Sequence, residues 1–297
     1  MAEIDLSALR NEIDAIDAEM HALLRRRAGL SERIRGIKND DSLKLRPGRE
    51  ANILRTLISR HEGAFPKPQL VRIWREIMSA SLAMQGPFSM AVFANETAHD
   101  FWDLAHDHFG SGLKMQRFPT ARRVVEAVMS DAVTIGVVPE PRQQTAENWW
   151  HYLVVGPNAA NKGRPPRVIA KLPFVAVEPG SGAPEAYVIA RAEPEASGAD
   201  RSVIAIDLAV DHSTDGLQRQ LAAANMEGPI LARWQDELMP RRWVHLIEVA
   251  GFLSTGDGRI GRVKDVFAEQ LNQIVVVGAF AEPLDLNAAR PTLARTA

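Results

Sequence analysis

The chain has 297 residues, 46% of them hydrophobic, enough to fill about two or three cores. Its 35 Lys and Arg residues against 37 Asp and Glu leave a net charge of -2, which argues against a nucleic-acid footprint. The absence of cysteine excludes disulfides, thiolate catalysis and cysteine-ligated metal together. No run approaches membrane-spanning length and Met1 to Asp5 carries no basic-then-apolar signal, so the expected setting is the cytoplasm, with no membrane partner.

The first predicted element is a long helix from Leu6 to Ile37. Its apolar positions, Leu6, Leu9, Ile13, Ile16, Met20, Leu23, Leu30, Ile34 and Ile37, alternate steps of three and four in heptad fashion. The missing beat is Arg27. A buried, unpaired guanidinium is strongly disfavoured, so an arginine in an apolar seam implies an anion or carboxylate that meets it. Arg27 also ends the triplet Arg25-Arg26-Arg27, and a basic run on a helix is equally compatible with a solvated face of snorkelling stems. Lys38 follows about three turns later and points to nearly the same face as Arg27. Arg10 lies roughly 25 Å from Arg27 along the axis, on another face, and reaches the same ligand only from a second, antiparallel copy of the helix.

A polar break at Asn39 to Ser42 leads to Arg46-Pro47-Gly48-Arg49-Glu50, which opens a second helix carrying Ile53, Leu54, Leu57 and Ile58 and ending near Gly63. A third helix is predicted with the stripe Leu70, Trp74, Ile77, Ser81 and Met84. Ser81 and Gln85 share one face and can present a hydroxyl beside an amide, although a helical serine more often bonds its own backbone.

Residues 5 to 85 resemble the all-helical chorismate mutases. The likeness rests on Leu9-Arg10-Asn11-Glu12-Ile13 and Ile16-Asp17 at the start of the long helix, then Arg27, Lys38, Arg49-Glu50, and Ser81 with Gln85. It implies an intertwined homodimer of three-helix domains that rearranges chorismate to prephenate without cofactor or metal. In the roles it implies, Arg27 and Arg10 of the second copy clamp the two carboxylates and Ser81 assists. Lys38 and Gln85 donate to the ether oxygen, Glu50 accepts from the ring hydroxyl, and Arg49 lines the pocket. The sequence departs from the family at Arg46, where many relatives carry an acidic residue.

Gly86-Pro87 breaks the third helix, and the texture changes to short β-rich runs alternating with helices. A strand is predicted at Ser89 to Ala94, helices at Asp100 to Phe109 and Ala121 to Met129, and a buried strand at Val133 to Val138, which together imply an α/β layer. Pro194 to Asp200 is a candidate linker. Beyond it come strand Ser202 to Val210, helix Thr214 to Ala224, strands Pro229 to Leu238 and Trp243 to Phe252, helix Gly261 to Asn272 and strand Ile274 to Phe280, a βαββαβ ferredoxin-like order.

This half resembles the prephenate dehydratases, which carry a C-terminal amino-acid-sensing ACT domain. Gly136-Val137-Val138-Pro139-Glu140 is similar to the family's Gly-Val-Val-Pro-x-Glu-Asn-Ser, and Val276 to Phe280 resembles its closing strand. The catalytic words are absent. Pro141-Arg142 stands near the Asn-Ser, Glu185-Ala186-Tyr187 replaces Thr-Arg-Phe, and Asn95 to His99 replaces the Gly-Thr-Tyr/Phe-Ser motif. Without the threonine hydroxyl and its arginine, a dehydratase has neither proton donor nor carboxylate clamp, so the activity is expected to be lost. In the sensing domain Asp215-Gly216-Leu217 keeps part of a Gly-Ala-Leu motif, while Arg233 to Asp236 replaces Glu-Ser-Arg-Pro.

The expected division is a mutase domain at 1–86, a degenerate dehydratase-like α/β domain at 87–193, an ACT-like domain at 201–282 and a tail at 283–297. Three other constellations point more weakly. The acids and histidines from His99 to His108 spread over several helix faces rather than gathering as metal ligands. Gly256 to Gly261 satisfies Gly-x-Gly-x-x-Gly but lacks the parallel βαβ unit that dinucleotide binding needs. Trp149-Trp150 suits packing at a domain seam better than ligand stacking. Two alternatives to a mutase with a silent appendage stay open: a bifunctional mutase and dehydratase, and a non-catalytic module that senses an aromatic metabolite.

Overall fold

The computed structural model describes residues 5–37, 43–95, 100–141, 147–155, 165–176, 181–235 and 242–286. Three helices come first: α1 (Leu6–Ile37), α2 (Pro47–Arg60) and α3 (Lys67–Met84). Proline opens both α2 and α3, where its missing N–H costs no intrahelical bond. Gly86, at φ +151°, ends the bundle before Pro87.

Among the described residues, helix α1 meets the rest of the chain only over its last third. Residues 5–26 are all exposed, and the seam side chains from Leu6 to Ile34 are 45–58% exposed. Helix α3 buries a different face from the one its sequence stripe suggested. Val71, Arg75, Met78 and Leu82 are buried, whereas Leu70, Trp74, Ile77 and Met84 are half-buried. The reason is that α3 has two neighbours. Its Ile77–Ser81 side receives α1, its Val71–Met78 side packs on α2 and on Phe174, and Leu82 packs on the α/β layer.

The α/β layer comprises β1 (Ser89–Phe93), α4 (Asp100–Phe109), β2 (Lys114–Phe118), α5 (Ala121–Met129), β3 (Ile135–Pro139), α6 (His151–Val155), β4 (Arg167–Leu172) and β5 (Ala186–Ala190). After it come β6 (Asp200–Leu208), α7 (Thr214–Ala223), β7 (Ile230–Gln235), β8 (Trp243–Ala250), α8 (Gly258–Phe267), a 3-10 turn at Ala268–Gln270 and β9 (Leu271–Ala281). The last four strands stand in the order β9-β6-β8-β7, all antiparallel, which is the ferredoxin-like arrangement of a βαββαβ chain.

Both units share one nine-stranded sheet, ordered β2-β1-β3-β5-β4-β9-β6-β8-β7. The join is narrow: β4 lies parallel to β9 with Val168 opposite Gly278. Helices α7 and α8 cover one face of the ferredoxin-like part. The other face is sealed by Trp149, Trp150 and Leu153, at 2%, 1% and 1% exposure, which makes the tryptophan pair packing residues. Trp149 Nε1 donates to the Pro139 carbonyl at 3.0 Å, satisfying its one polar group.

Helix α8 starts at Gly258 rather than Gly261, because Asp257 caps it, accepting from the Arg259 amide at 2.9 Å. It stops at Phe267, before Ala268 takes φ +44°. The helix N-terminus that the glycine motif suggested for a nucleotide is thus filled by a carboxylate of the chain itself.

The stretch Pro194 to Asp200 is a clamped turn. The Asp200 carboxylate accepts from the amides of Ser197 (2.8 Å) and Gly198 (3.0 Å), and Arg55 of α2 donates to Ser197 Oγ (2.8 Å) and to the carbonyls of Ala199 (2.8 Å) and Glu282 (3.0 Å). Among the described residues no helix is long and apolar enough to cross a membrane.

Candidate functional site

The site assembles where α1, α2 and α3 meet. Arg27 Nη1 donates to the Ile77 carbonyl at 3.2 Å and to the Ser81 hydroxyl. Ser81 Oγ in turn donates to Ile77 O at 2.8 Å, and Gln85 Nε2 to Ser81 O at 3.2 Å. Burial holds the Arg27 guanidinium below its ordinary pKa, nearby Arg49 adds to that, and Glu50 opposes it. Arg49 and Glu50 come from the first turn of α2, so residues far apart in sequence act on one another electrostatically.

Sequence reasoning missed the partner of Glu50. Arg75 Nη1 donates to Glu50 Oε2 at 2.8 Å, with the two side chains 7% and 17% exposed. Burial raises the Glu50 pKa; Arg75 opposes this most strongly, and Arg27 adds to it. A signal was present. Val71, Arg75, Met78 and Leu82 follow four-three-four spacing, so Arg75 interrupts an apolar stripe of α3 as Arg27 interrupts that of α1.

The structure thus brings together Arg27, Arg49, Glu50, Ser81 and Gln85. Arg10 sits on the exposed arm of α1, apart from this cluster. Lys38 lies outside the described residues, as do Glu96 to His99, Arg142 and residues 287–297 of the tail. Arg46 turns away from the cluster and pairs with Glu195 at 2.8 Å.

A second polar cluster fills the place where dehydratase words were sought. Lys171 Nζ lies 2.7 Å from Glu140, 3.2 Å from Glu185 and 3.8 Å from Glu248. Tyr187 donates to Glu140 and Glu248 at 3.5 and 3.4 Å. Burial pushes Glu140 up against the pull of Lys171, and it pushes the Tyr187 hydroxyl up with the help of the same carboxylates. These groups satisfy one another across β3, β4, β5 and β8, with Tyr187 1% exposed. On α4, Asp107 pairs with Arg72 while the His108 ring packs edge-on to Phe109, so its acids and histidines point to different neighbours.

The junction of the three helices thus gathers guanidiniums, a hydroxyl, an amide and a carboxylate. Residues 9–86 match the family described as chorismate mutase type II, and the chain carries a domain of that family at its N-terminus, fused to an α/β and ferredoxin-like region. Two relatives are bifunctional chorismate mutase/prephenate dehydratases. That of Stutzerimonas stutzeri is 30% identical over 146 residues, 47% of this chain and 40% of the relative. That of Aquifex aeolicus is 34% identical over 140 residues, 46% and 38% of the respective chains. The alignments span about two fifths of the length of these relatives. Among solved structures, prephenate dehydratase from Streptococcus mutans superimposes with a TM-score of 0.46 at 11% identity, covering 66% of this chain and 98% of that one.

Proposed function

We propose that the chain is a chorismate mutase, an isomerase that converts chorismate to prephenate in the cytoplasm with no cofactor, and that its dehydratase-like region no longer dehydrates prephenate. The observation that carries this reading is the junction itself: Arg27 is drawn from the apolar seam onto Ser81, within the electrostatic field of Arg49 and Glu50. A pericyclic rearrangement needs no nucleophile. The protein must hold a dianion in its compact reactive conformer and stabilise charge building on the breaking ether oxygen.

Arg27 and Arg10 from a second copy of the chain hold the two carboxylates in this reading, with the bidentate fork that lysine lacks. Ser81 steadies Arg27, Lys38 and Gln85 donate to the ether oxygen, Glu50 accepts from the ring hydroxyl, and Arg49 lines the pocket. The exposed apolar seam of α1 supports an antiparallel homodimer, since so long an apolar stripe is otherwise left in water. Ile16→Glu with Leu23→Glu is expected to turn the dimer into a monomer in size-exclusion chromatography with light scattering and to abolish turnover. A double variant that remains a dimer removes this seam from the interface.

The test of the activity is the loss of chorismate absorbance, with the product analysed before and after mild acid. Prephenate that accumulates is the expected result. The bifunctional names of the relatives favour a second reading in which phenylpyruvate forms from prephenate at neutral pH. That product would overturn the loss of dehydratase activity, for which the support is the self-satisfied cluster of Lys171, Glu140 and Tyr187 and the absence of the Thr-Arg-Phe word. No loss of chorismate would leave the ligand-sensing module standing, with the divisions near 86 and 200 separating its parts.

A further inference from the structure

The Glu50 carboxylate is not free to choose its orientation. Its Oε2 accepts from Arg75 at 2.8 Å, and its Oε1 has no hydrogen bond among the described residues. Arg75 is itself fixed from behind. Its guanidinium carbon lies 5.0 Å from the centroid of Phe174, which arrives directly after β4 of the appended α/β layer. The imidazole of His108, from α4, stands close enough for Arg75 to act on it, and burial first and Arg75 second hold its pKa well below the ordinary value. The Phe174 ring and the His108 imidazole thus lie beside the guanidinium whose hydrogen-bonded carboxylate is Glu50.

We propose that Arg75 is a positioning residue of the mutase site: it commits one oxygen of Glu50 to itself and leaves the other aimed to accept from a hydroxyl of the bound substrate. This rests on the chorismate mutase reading above. An isolated carboxylate as buried as Glu50 would take up a proton and become a donor, the wrong partner for a hydroxyl that must give its hydrogen. Arg75 supplies the opposing charge. The groups that face Glu50 are Arg75 from α3 and Arg27 from α1, with Arg49 beside it on α2, and His108 reaches Arg75 from α4. Among the described residues only Arg75 holds Glu50 by a hydrogen bond. The arrangement also makes the appended layer part of the support of the helical site, because Phe174 belongs to it.

A cavity of about 240 Å³ adjoins the buried guanidinium, lined by Val71, Leu104, His108, Pro173 and Phe174 among others, which gives the proposal a direct test. Arg75→Ala leaves a guanidinium-shaped space next to that cavity. The variant is expected to lose about 10–100-fold in kcat/KM, the range found when an orienting partner is removed. The acidic limb of its pH–rate profile should move to higher pH, since Glu50 then stays protonated further up the scale. Millimolar guanidinium chloride should restore part of the rate to Arg75→Ala and none to Glu50→Gln/Arg75→Ala, which has no carboxylate to be held. A folded Arg75→Ala protein with unchanged kcat/KM and an unshifted acidic limb overturns the inference, and so does a loss that guanidinium does not relieve and that leaves the limb in place. Wild-type protein that leaves chorismate intact overturns the mutase reading instead, before any variant is compared.

Discussion

Arg27→Ala is expected to lower kcat/KM for chorismate by about 10²–10³-fold, the loss anticipated when one preorganised charged donor is removed from the proposed electrostatic site. The side chain is half-buried at the contact of α1 with α3, where it donates to Ile77 O and Ser81 Oγ. Ser81 keeps its own bond to the Ile77 carbonyl at 2.8 Å, so the variant loses a cation without leaving that hydroxyl orphaned. Stability should therefore change little, and the effect should fall on turnover. Arg10→Ala should cost a similar factor although Arg10 lies on the exposed arm, because in the proposed dimer it would serve the site of the other copy. Mixing the two variants tests both claims. With free subunit exchange half of the dimers are mixed and each holds one intact site, so activity should return to about a quarter of wild type. Near-normal turnover of Arg27→Ala, or no rescue despite demonstrated exchange, would contradict the shared site.

The logic that singled out Arg27, a polar group at an apolar-seam position, also reached Ser81, whereas Glu50 entered only through the resemblance to the all-helical mutases. It would have reached Arg75 as well, had the stripe through Val71, Met78 and Leu82 been followed instead of the one through Trp74 and Ile77. A helix with two neighbours has two apolar faces, and sequence periodicity does not say which of them carries a buried ion pair. The strands were legible where the apolar run was long, as in β6 and β8, or closed by a clear breaker, as in β1. Strand β2, Lys114–Phe118, was not, because it lies at the sheet edge, where no residue is fully buried and Lys114 and Arg117 are exposed without alternation. Strands β4 and β5 are five or six residues long and buried almost throughout, so they carry only a short apolar run and no period-two signal. Nor did the sequence show that one sheet runs through both units, because the β4–β9 pairing joins residues more than a hundred positions apart.

That pairing has its own consequence. Gly278→Ala should destabilise the whole chain by about 3 kcal/mol, at the upper end of overpacking costs, because the added methyl has nowhere to go. A Cβ built on Gly278 falls on the backbone of Val168, within 2.7 Å of its Cα, and a main chain yields far less readily than the tip of a flexible side chain. The strand cannot slide away either. On its other edge β9 pairs with β6 from Ala281 to Leu271, and shifting it by one residue would exchange its buried and exposed faces. The variant must open the β4–β9 contact, and β4 leads directly into Phe174, whose carbonyl accepts from the Leu284 amide at 2.6 Å and whose ring backs Arg75. Thermal unfolding should therefore begin several degrees lower, and limited proteolysis should cut near Pro173 in Gly278→Ala before it does so in wild type. Gly261→Ala is the control: no atom lies within 4 Å of its added Cβ and the residue is inside α8, so alanine there should hold or raise the melting temperature. Equal melting temperatures for Gly278→Ala and wild type, to about a degree, would mean that β4 and β9 are not in contact in solution and that the two parts of the sheet are independent.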